Sequence, residues 1–269
     1  MGGSLIGIII ALVSMLLTFV LKGGSPVILI NLPSFFIIFG GTFGALIGTF
    51  GLGEFKKFPK LMMMAIKPPH VDAVHLRDQL VGFAERARKE GLLALEGEVD
   101  TVDDPFVRRG LQMVIDGLEP ETVEEVLELE IEAMKKRHST GINMFAVGAG
   151  YAPTFGILGA VMGLIAAMAH LSEPEKLGPG IQVAFIATLL AVFTANGILA
   201  PVSGMLRSAD EHEQTVRNMV LTGILAIQAG DNPRIVAQKL ASYLPPGSPE
   251  PGKAGAAGDG GAASKAEAA

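Results

Sequence analysis

The chain has 269 residues, a formal net charge of −6, 49% apolar residues and no cysteine. Without cysteine, disulfides, thiolate metal sites and thiol catalysis are excluded, and the acidic balance argues against nucleic acid as a partner. A positive mean hydropathy, with charged residues gathered in blocks, points to an all-α polytopic membrane protein that also has a soluble helical part.

Four charge-free apolar stretches are long enough to cross about 30 Å of hydrocarbon at about 1.5 Å per residue: residues 3–21, 33–52, 144–169 and 181–206. The first does not read as a signal peptide, because it lacks a basic flank and a small-residue cleavage site and is too long. Lys56, Lys57, Lys60 and Lys67 come after the second stretch, Lys135, Lys136 and Arg137 precede the third, and Arg207 comes after the fourth. The short loops carry only Lys22 and Lys176. Cations concentrate on the cytoplasmic side, so both termini and the long middle segment are expected there.

Between the second and third stretches, Leu76, Leu80, Phe83, Ala84 and Ala87 recur at helical spacing, Gly91 is a stop signal, and Pro105 breaks the next segment. A further helix begins near Pro120, with Glu121, Glu124 and Glu125 early and Lys135, Lys136 and Arg137 late, an order that complements the helix dipole. Val123, Val126, Leu127, Ile131 and Met134 give it an apolar stripe that must pack on something. After Arg207, Val216, Met219, Val220, Ile224 and Ile227 continue the fourth helix to Gly230, and Asn232 with Pro233 opens a short helix ending near Leu244. From Pro245 onward the composition is that of a disordered tail. The expected parts are residues 1–52 (two spans), 53–140 (cytoplasmic helices), 141–206 (two spans), 207–244 (helical extension) and 245–269 (tail).

The third and fourth stretches contain no Asp, Glu, Lys, Arg or His, yet hold Pro153, Thr154, Thr188, Thr194, Asn196 and Pro201 at bilayer depth. Charge movement through a membrane needs an ionisable group there; if this chain handles ions, another polypeptide must supply it. Ala152, Gly156 and Ala160, and likewise Gly159 and Gly163, fall four apart, a spacing that lets helix backbones approach closely. Pro153 and Pro201 each deprive a carbonyl one turn earlier of its donor, which is tolerated only against protein or water. Thr188 lies thirteen residues before Pro201, about 20 Å along a helix. Its hydroxyl either bonds its own i−4 carbonyl or serves a passing cation or a partner's carboxylate. Asn196, whose amide needs several partners, is expected at a helix interface.

The run Gly150-Tyr-Ala-Pro-Thr-Phe-Gly-Ile-Leu-Gly-Ala-Val-Met-Gly163, together with Gly40-Gly41-Thr42, Thr188 to Pro201 and Ile227-Gln-Ala-Gly-Asp-Asn-Pro233, resembles the MotA family of flagellar motor stator subunits over roughly residues 3–244. The resemblance implies a ring of five copies in the bacterial inner membrane around two copies of a MotB-type partner, whose single span brings the titrating Asp. Pro153 and Pro201 would then flank the ion path, with Thr188 lining it. Arg88-Lys-Glu-Gly-Leu-Leu-Ala-Leu-Glu96 is similar to the rotor-facing segment, so Arg88, Lys89 and Glu96 would pair with charges on the rotor protein FliG. Gly97 stands where some relatives carry another carboxylate. Sodium-type relatives place a second hydroxyl where this chain has Ala160, and one hard oxygen fewer favours H⁺ over Na⁺, although Thr154 could supply an oxygen from another angle.

The nearest alternative is an ExbB or TolQ type energising unit, which has three spans in another order. A secondary transporter would show inverted repeats and a broken, charged helix at the midplane. An enzyme is disfavoured because His75, His138, His170 and His212 belong to no paired motif. No metal or cofactor is expected, and lipid is the surrounding partner.

Overall fold

Helix α1 (Gly2–Leu21) carries no charged residue, and its residues Ile9, Ile10, Val13 and Leu17 are exposed. The computed structural model describes residues 2–68 and 71–250. Residues 251–269 of the expected tail lie outside the described residues, as does the side chain of Lys176. Among the described residues every regular element is helical, in agreement with the all-α reading.

A short 3₁₀ turn (Pro26–Leu29) leads to α2 (Leu32–Phe35), where Asn31 accepts a hydrogen bond from the Ser34 N–H and caps the helix. A π-helical turn (Phe36–Gly40) and α3 (Gly41–Phe55) continue without a break. At Gly51, φ is +80°, which a residue with a Cβ rarely adopts, and the helix axis breaks there. Helix α4 (Phe58–Ile66) comes next.

The next elements are α5 (Ala73–Glu90), a 3₁₀ turn (Leu92–Leu95), α6 (Glu96–Val99) and α7 (Pro105–Ile115). Their ends are explicit in the sequence. Asp72 accepts from the His75 N–H, Gly91 at φ +87° closes α5, and Asp104 accepts from the N–H groups of Phe106 and Val107, with Pro105 as the first helical residue. Helix α8 (Pro120–Met168) is a single 49-residue helix, uninterrupted from the charged stretch through the third apolar one. Helix α9 (Pro174–Phe193), a second π-helical turn (Thr194–Leu199) and α10 (Ala200–Gln228) form the fourth. Asn232 caps α11 (Pro233–Ala241), as expected.

Among the described residues, three helical stretches are long and apolar enough to cross a membrane: Leu32–Phe55, Pro120–Met168 and Leu177–Gln228. Ile6–Leu21 is a shorter apolar helix.

The structure divides into two compact units, Met1–Pro69 with Arg137–Ala209, and His70–Lys136 with Asp210–Ala269. In the first, an aromatic group anchors α4: Phe58 stacks on Phe145 at 4.4 Å between ring centroids and meets Phe43 edge-on at 5.5 Å. Such pairs add about 0.5–1.5 kcal/mol beyond area burial. In the second, Leu80, Leu111, Leu127, Met219 and Ile224 are fully buried in one core, each contributing about 1.5–3 kcal/mol. Gly110 lets α7 approach Ile224 closely, since a Cβ there would overlap the Ile224 side chain.

The composition from Pro245 onward predicts a disordered tail. Residues 245–250, the described part of that segment, form no helix or strand, and the buried Arg77 guanidinium donates to the Pro249 carbonyl at 2.6 Å.

Candidate functional site

The third and fourth apolar stretches form an antiparallel hairpin whose contact line is written in small residues. A Cβ added at Gly156 would overlap the Ala191 Cβ; one at Gly159 would lie 3.1 Å from the Ala187 Cβ; one at Gly163 would lie 3.1 Å from the Ala184 nitrogen; and one at Gly180 would lie 2.8 Å from the Ala167 Cβ. As the number rises on α8 it falls on α9, and both series step by three or four residues. Each contact therefore sits one helical turn from the next. Lower down, the buried Ser203 hydroxyl of α10 donates to the Ile142 carbonyl of α8 at 3.0 Å.

The polar side chains singled out from the sequence bond within their own helices. Thr154 donates to the Tyr151 carbonyl at 2.6 Å, Thr188 to the Ala184 carbonyl at 3.2 Å, and Asn196, through Nδ2, to the Val192 carbonyl at 3.2 Å. The Thr188 hydroxyl thus bonds its own i−4 carbonyl. Thr154 and Asn196 are exposed, and Pro153, Ala160 and Thr188 are half-buried. Pro153 lies inside α8 and cannot donate to Ala149.

Pro201 has a larger consequence. It cannot donate to Gly197, and just before it the helix widens by one residue into the π-turn, where the Ala200 N–H bonds to the Ala195 carbonyl. Such turns are rare and concentrate at functional positions. Asn196 and Pro201 together line one cavity of about 390 Å³, whose other wall is Gly7, Ile8 and Ala11 of α1. The structure brings these two predicted residues together; Pro153, Thr154, Ala160 and Thr188 do not line that cavity. A second cavity, of about 300 Å³, lies between the start of the second stretch and the hairpin and is lined by Pro33, Ile37, Gly159, Gly163 and Ala187.

Three features escaped the sequence reading. Tyr151 and Thr49 share a hydrogen bond of 3.0 Å, joining the second and third stretches. The Thr42 hydroxyl is buried without a hydrogen-bond partner among the described residues. The two π-turns are the third. A signal existed only for the turn before Pro201, in its missing N–H.

In the other unit, Arg88 and Lys89 end α5 and Glu96 begins α6, with Gly91 making the sharp turn between them. All three are exposed and have no ion-pair partner among the described residues, whereas neighbouring Arg86 pairs with Glu98. Leu93, at the tip of the turn, is also exposed.

Residues 5–91 match the motility protein A N-terminal family, and residues 98–219 match the MotA/TolQ/ExbB proton channel family. Motility protein A of Bacillus subtilis is 40% identical over 243 residues, 90% of each chain. The chain belongs to the motility protein A family. Among solved structures, a chain of the flagellar MotAB stator complex from Bacillus subtilis superposes with a TM-score of 0.84 at 39% identity, covering 90% of this chain and 95% of that one. A chain of C. jejuni MotAB gives 0.87 at 28% identity, covering 92% and 97%.

Proposed function

We propose that this chain is a flagellar motor stator subunit which, with a MotB-type partner, forms an ion-conducting unit that turns ion-motive force into torque. The observation that carries this reading is chemical: between Gly178 and Leu206, and again between Gly141 and Ala169, the hairpin has no Asp, Glu, Lys, Arg or His. The titrating carboxylate must come from another chain, and the relatives of this family are solved as MotAB complexes.

The finer features rest on that reading. The four apolar stretches span the inner membrane with both termini in the cytoplasm. Five copies surround the partner's span, with the hairpin of residues 141–206 facing it, residues 1–52 outside, and residues 53–140 and 207–244 in the cytoplasm. The exposed apolar side chains of the hairpin, among them Ile157, Val161, Met162, Ile165 and Phe185, support burial against other copies and the partner. Pro153, Thr154, Ala160, Thr188, Asn196 and Pro201 lie along the ion path or its gate, and Ala160 favours protons over sodium.

Arg88, Lys89 and Glu96 engage FliG. One elementary charge crossing 100 mV releases about 2.3 kcal/mol, so each step is small. Exposed ion pairs, worth about 0–1 kcal/mol, release readily enough for repeated contact.

An ExbB or TolQ type unit shares the channel chemistry, but the match of residues 5–91 to the motility protein A N-terminal family favours the stator. The test is complementation of cells lacking their own stator. This chain expressed with its MotB-type partner restores swimming, and either chain alone does not. Failure of the pair, with both proteins in the membrane, would refute the reading.

A further inference from the structure

The cavity beside α1 is built around an acceptor that the helix cannot satisfy. In an α-helix the Asn196 carbonyl would accept from the Ala200 N–H, but that group bonds to the Ala195 carbonyl. In a π-turn it would accept from residue 201, which is proline and has no N–H. The Asn196 carbonyl is therefore left by both ladders. Its side chain compounds the imbalance: Nδ2 is committed to the Val192 carbonyl, and Oδ1 remains as a second acceptor.

Both acceptors belong to a residue that lines the cavity, and the cavity continues along one face of the fourth stretch past Gly204 to Ser208. Twelve residues separate Asn196 from Ser208, about 18 Å of helix. Ser208 is next to Arg207, the first charged residue after the stretch, so the far end of the cavity lies at the aqueous edge.

The stripe of Asn196, Ala200, Gly204 and Ser208 is exposed, whereas Ala195, Leu199, Val202 and Leu206 are buried in the core of the first unit. The cavity thus opens on a face of the helix distinct from the one packed against α8. Opposite it, Gly7 and Ala11 leave the space open.

We propose that this crevice between α1 and the fourth span is a water inlet, and that water supplies the donor Pro201 lacks. An unpaired carbonyl at membrane depth is tolerated where it faces protein or a water-filled cavity, and α1 presents only apolar or backbone groups there. A hard divalent cation takes six or more oxygens, so two neutral acceptors suit the O–H groups of water. The volume accommodates several molecules at about 30 Å³ each. An acyl chain would leave both acceptors bare. The inlet rests on these helices spanning a membrane and not on torque generation.

The chain has no cysteine, so one introduced thiol reports on its surroundings without background. Gly204→Cys is suitable because nothing lies within 4 Å of an added Cβ. The full chain and its partner, in native membranes, are treated with a small water-soluble methanethiosulfonate, which reacts with the thiolate form that requires contact with water.

A water inlet predicts that Gly204→Cys labels within about tenfold of the rate of Ser208→Cys, while lipid-facing Leu17→Cys is slower by about a hundredfold or more. Labelling of Gly204→Cys as slow as that of Leu17→Cys would overturn the proposal. If the cysteine variant does not assemble, deuterium exchange of the unaltered complex decides: peptides covering residues 196–208 exchange faster than those covering 180–192 if the inlet exists, and equally slowly if it does not. Neither readout depends on ion flux, so failure here and failure of the stator reading are separable.

Discussion

The Ala191 side chain occupies the space that any Cβ at Gly156 would need. This contact is the tightest of the series that joins α8 to α9, and it makes Gly156 a packing residue first. Gly156→Val forces the two helices apart and costs about 1–3 kcal/mol or more. Swimming and the melting temperature of the purified complex both fall, and placing Gly156→Ala in an Ala191→Gly background recovers most of the loss seen for Gly156→Ala alone.

Arg217 donates to both carboxylate oxygens of Asp104, at 2.7 and 2.8 Å, and its guanidinium lies 5.1 Å from the Phe106 ring centroid. Asp104 also caps α7. Asp104→Ala removes a cap, about 1 kcal/mol, and leaves a largely buried guanidinium short of partners, about 1–3 kcal/mol more. Asp104→Asn keeps the cap and loses less. Denaturant unfolding monitored by circular dichroism orders the three proteins as wild type, Asn, Ala.

The helix ends at Gly91 and at Asn232 with Pro233 were legible, whereas Pro105, expected as a break, instead opens α7 behind the Asp104 cap; each end has a local chemical cause. Gly91 takes φ +87°, Asp104 and Asn232 each place a side-chain oxygen on a later N–H, and Pro105 and Pro233 start helices where no donor is needed. The 49-residue continuity of α8 was not legible. At Gly141 and Gly148, a Cβ would lie 3.0 Å from the Leu61 side chain and 3.2 Å from the Leu46 side chain, so tertiary neighbours occupy the space beside both glycines.

The site was legible in part. The small-residue spacing announced close packing, and Pro201 announced a lost hydrogen bond. That the helix answers by widening into a π-turn, and that Asn196 then faces α1, depends on packing that no local pattern encodes.

Arg88 and Lys89 project at the end of α5 without ion-pair partners among the described residues. Because exposed charges contribute about 0–1 kcal/mol each, neutralising one slows rotation only modestly. Reversing both, with Arg88→Glu and Lys89→Glu, stops it while leaving folding and ion flux unchanged. Tethered-cell rotation and flux measured on the same strain check this.

In the proposed ion path, Ala160 stands in place of a hydroxyl and leaves one hard oxygen fewer for a dehydrated Na⁺. Replacing Na⁺ with K⁺ at fixed membrane potential leaves swimming speed unchanged, whereas a protonophore abolishes it. Arrest in K⁺ would show sodium coupling.

Above all, the proposed ion path needs a carboxylate from another chain, because residues 141–169 and 178–206 contain no Asp, Glu, Lys, Arg or His. The most direct test is proton and sodium flux in cells expressing this chain with a MotB-type partner whose membrane Asp is intact or changed to Asn, and in cells expressing this chain alone. A borrowed carboxylate predicts flux only with the intact partner. Flux from this chain alone, or undiminished flux with the Asn partner, would contradict it.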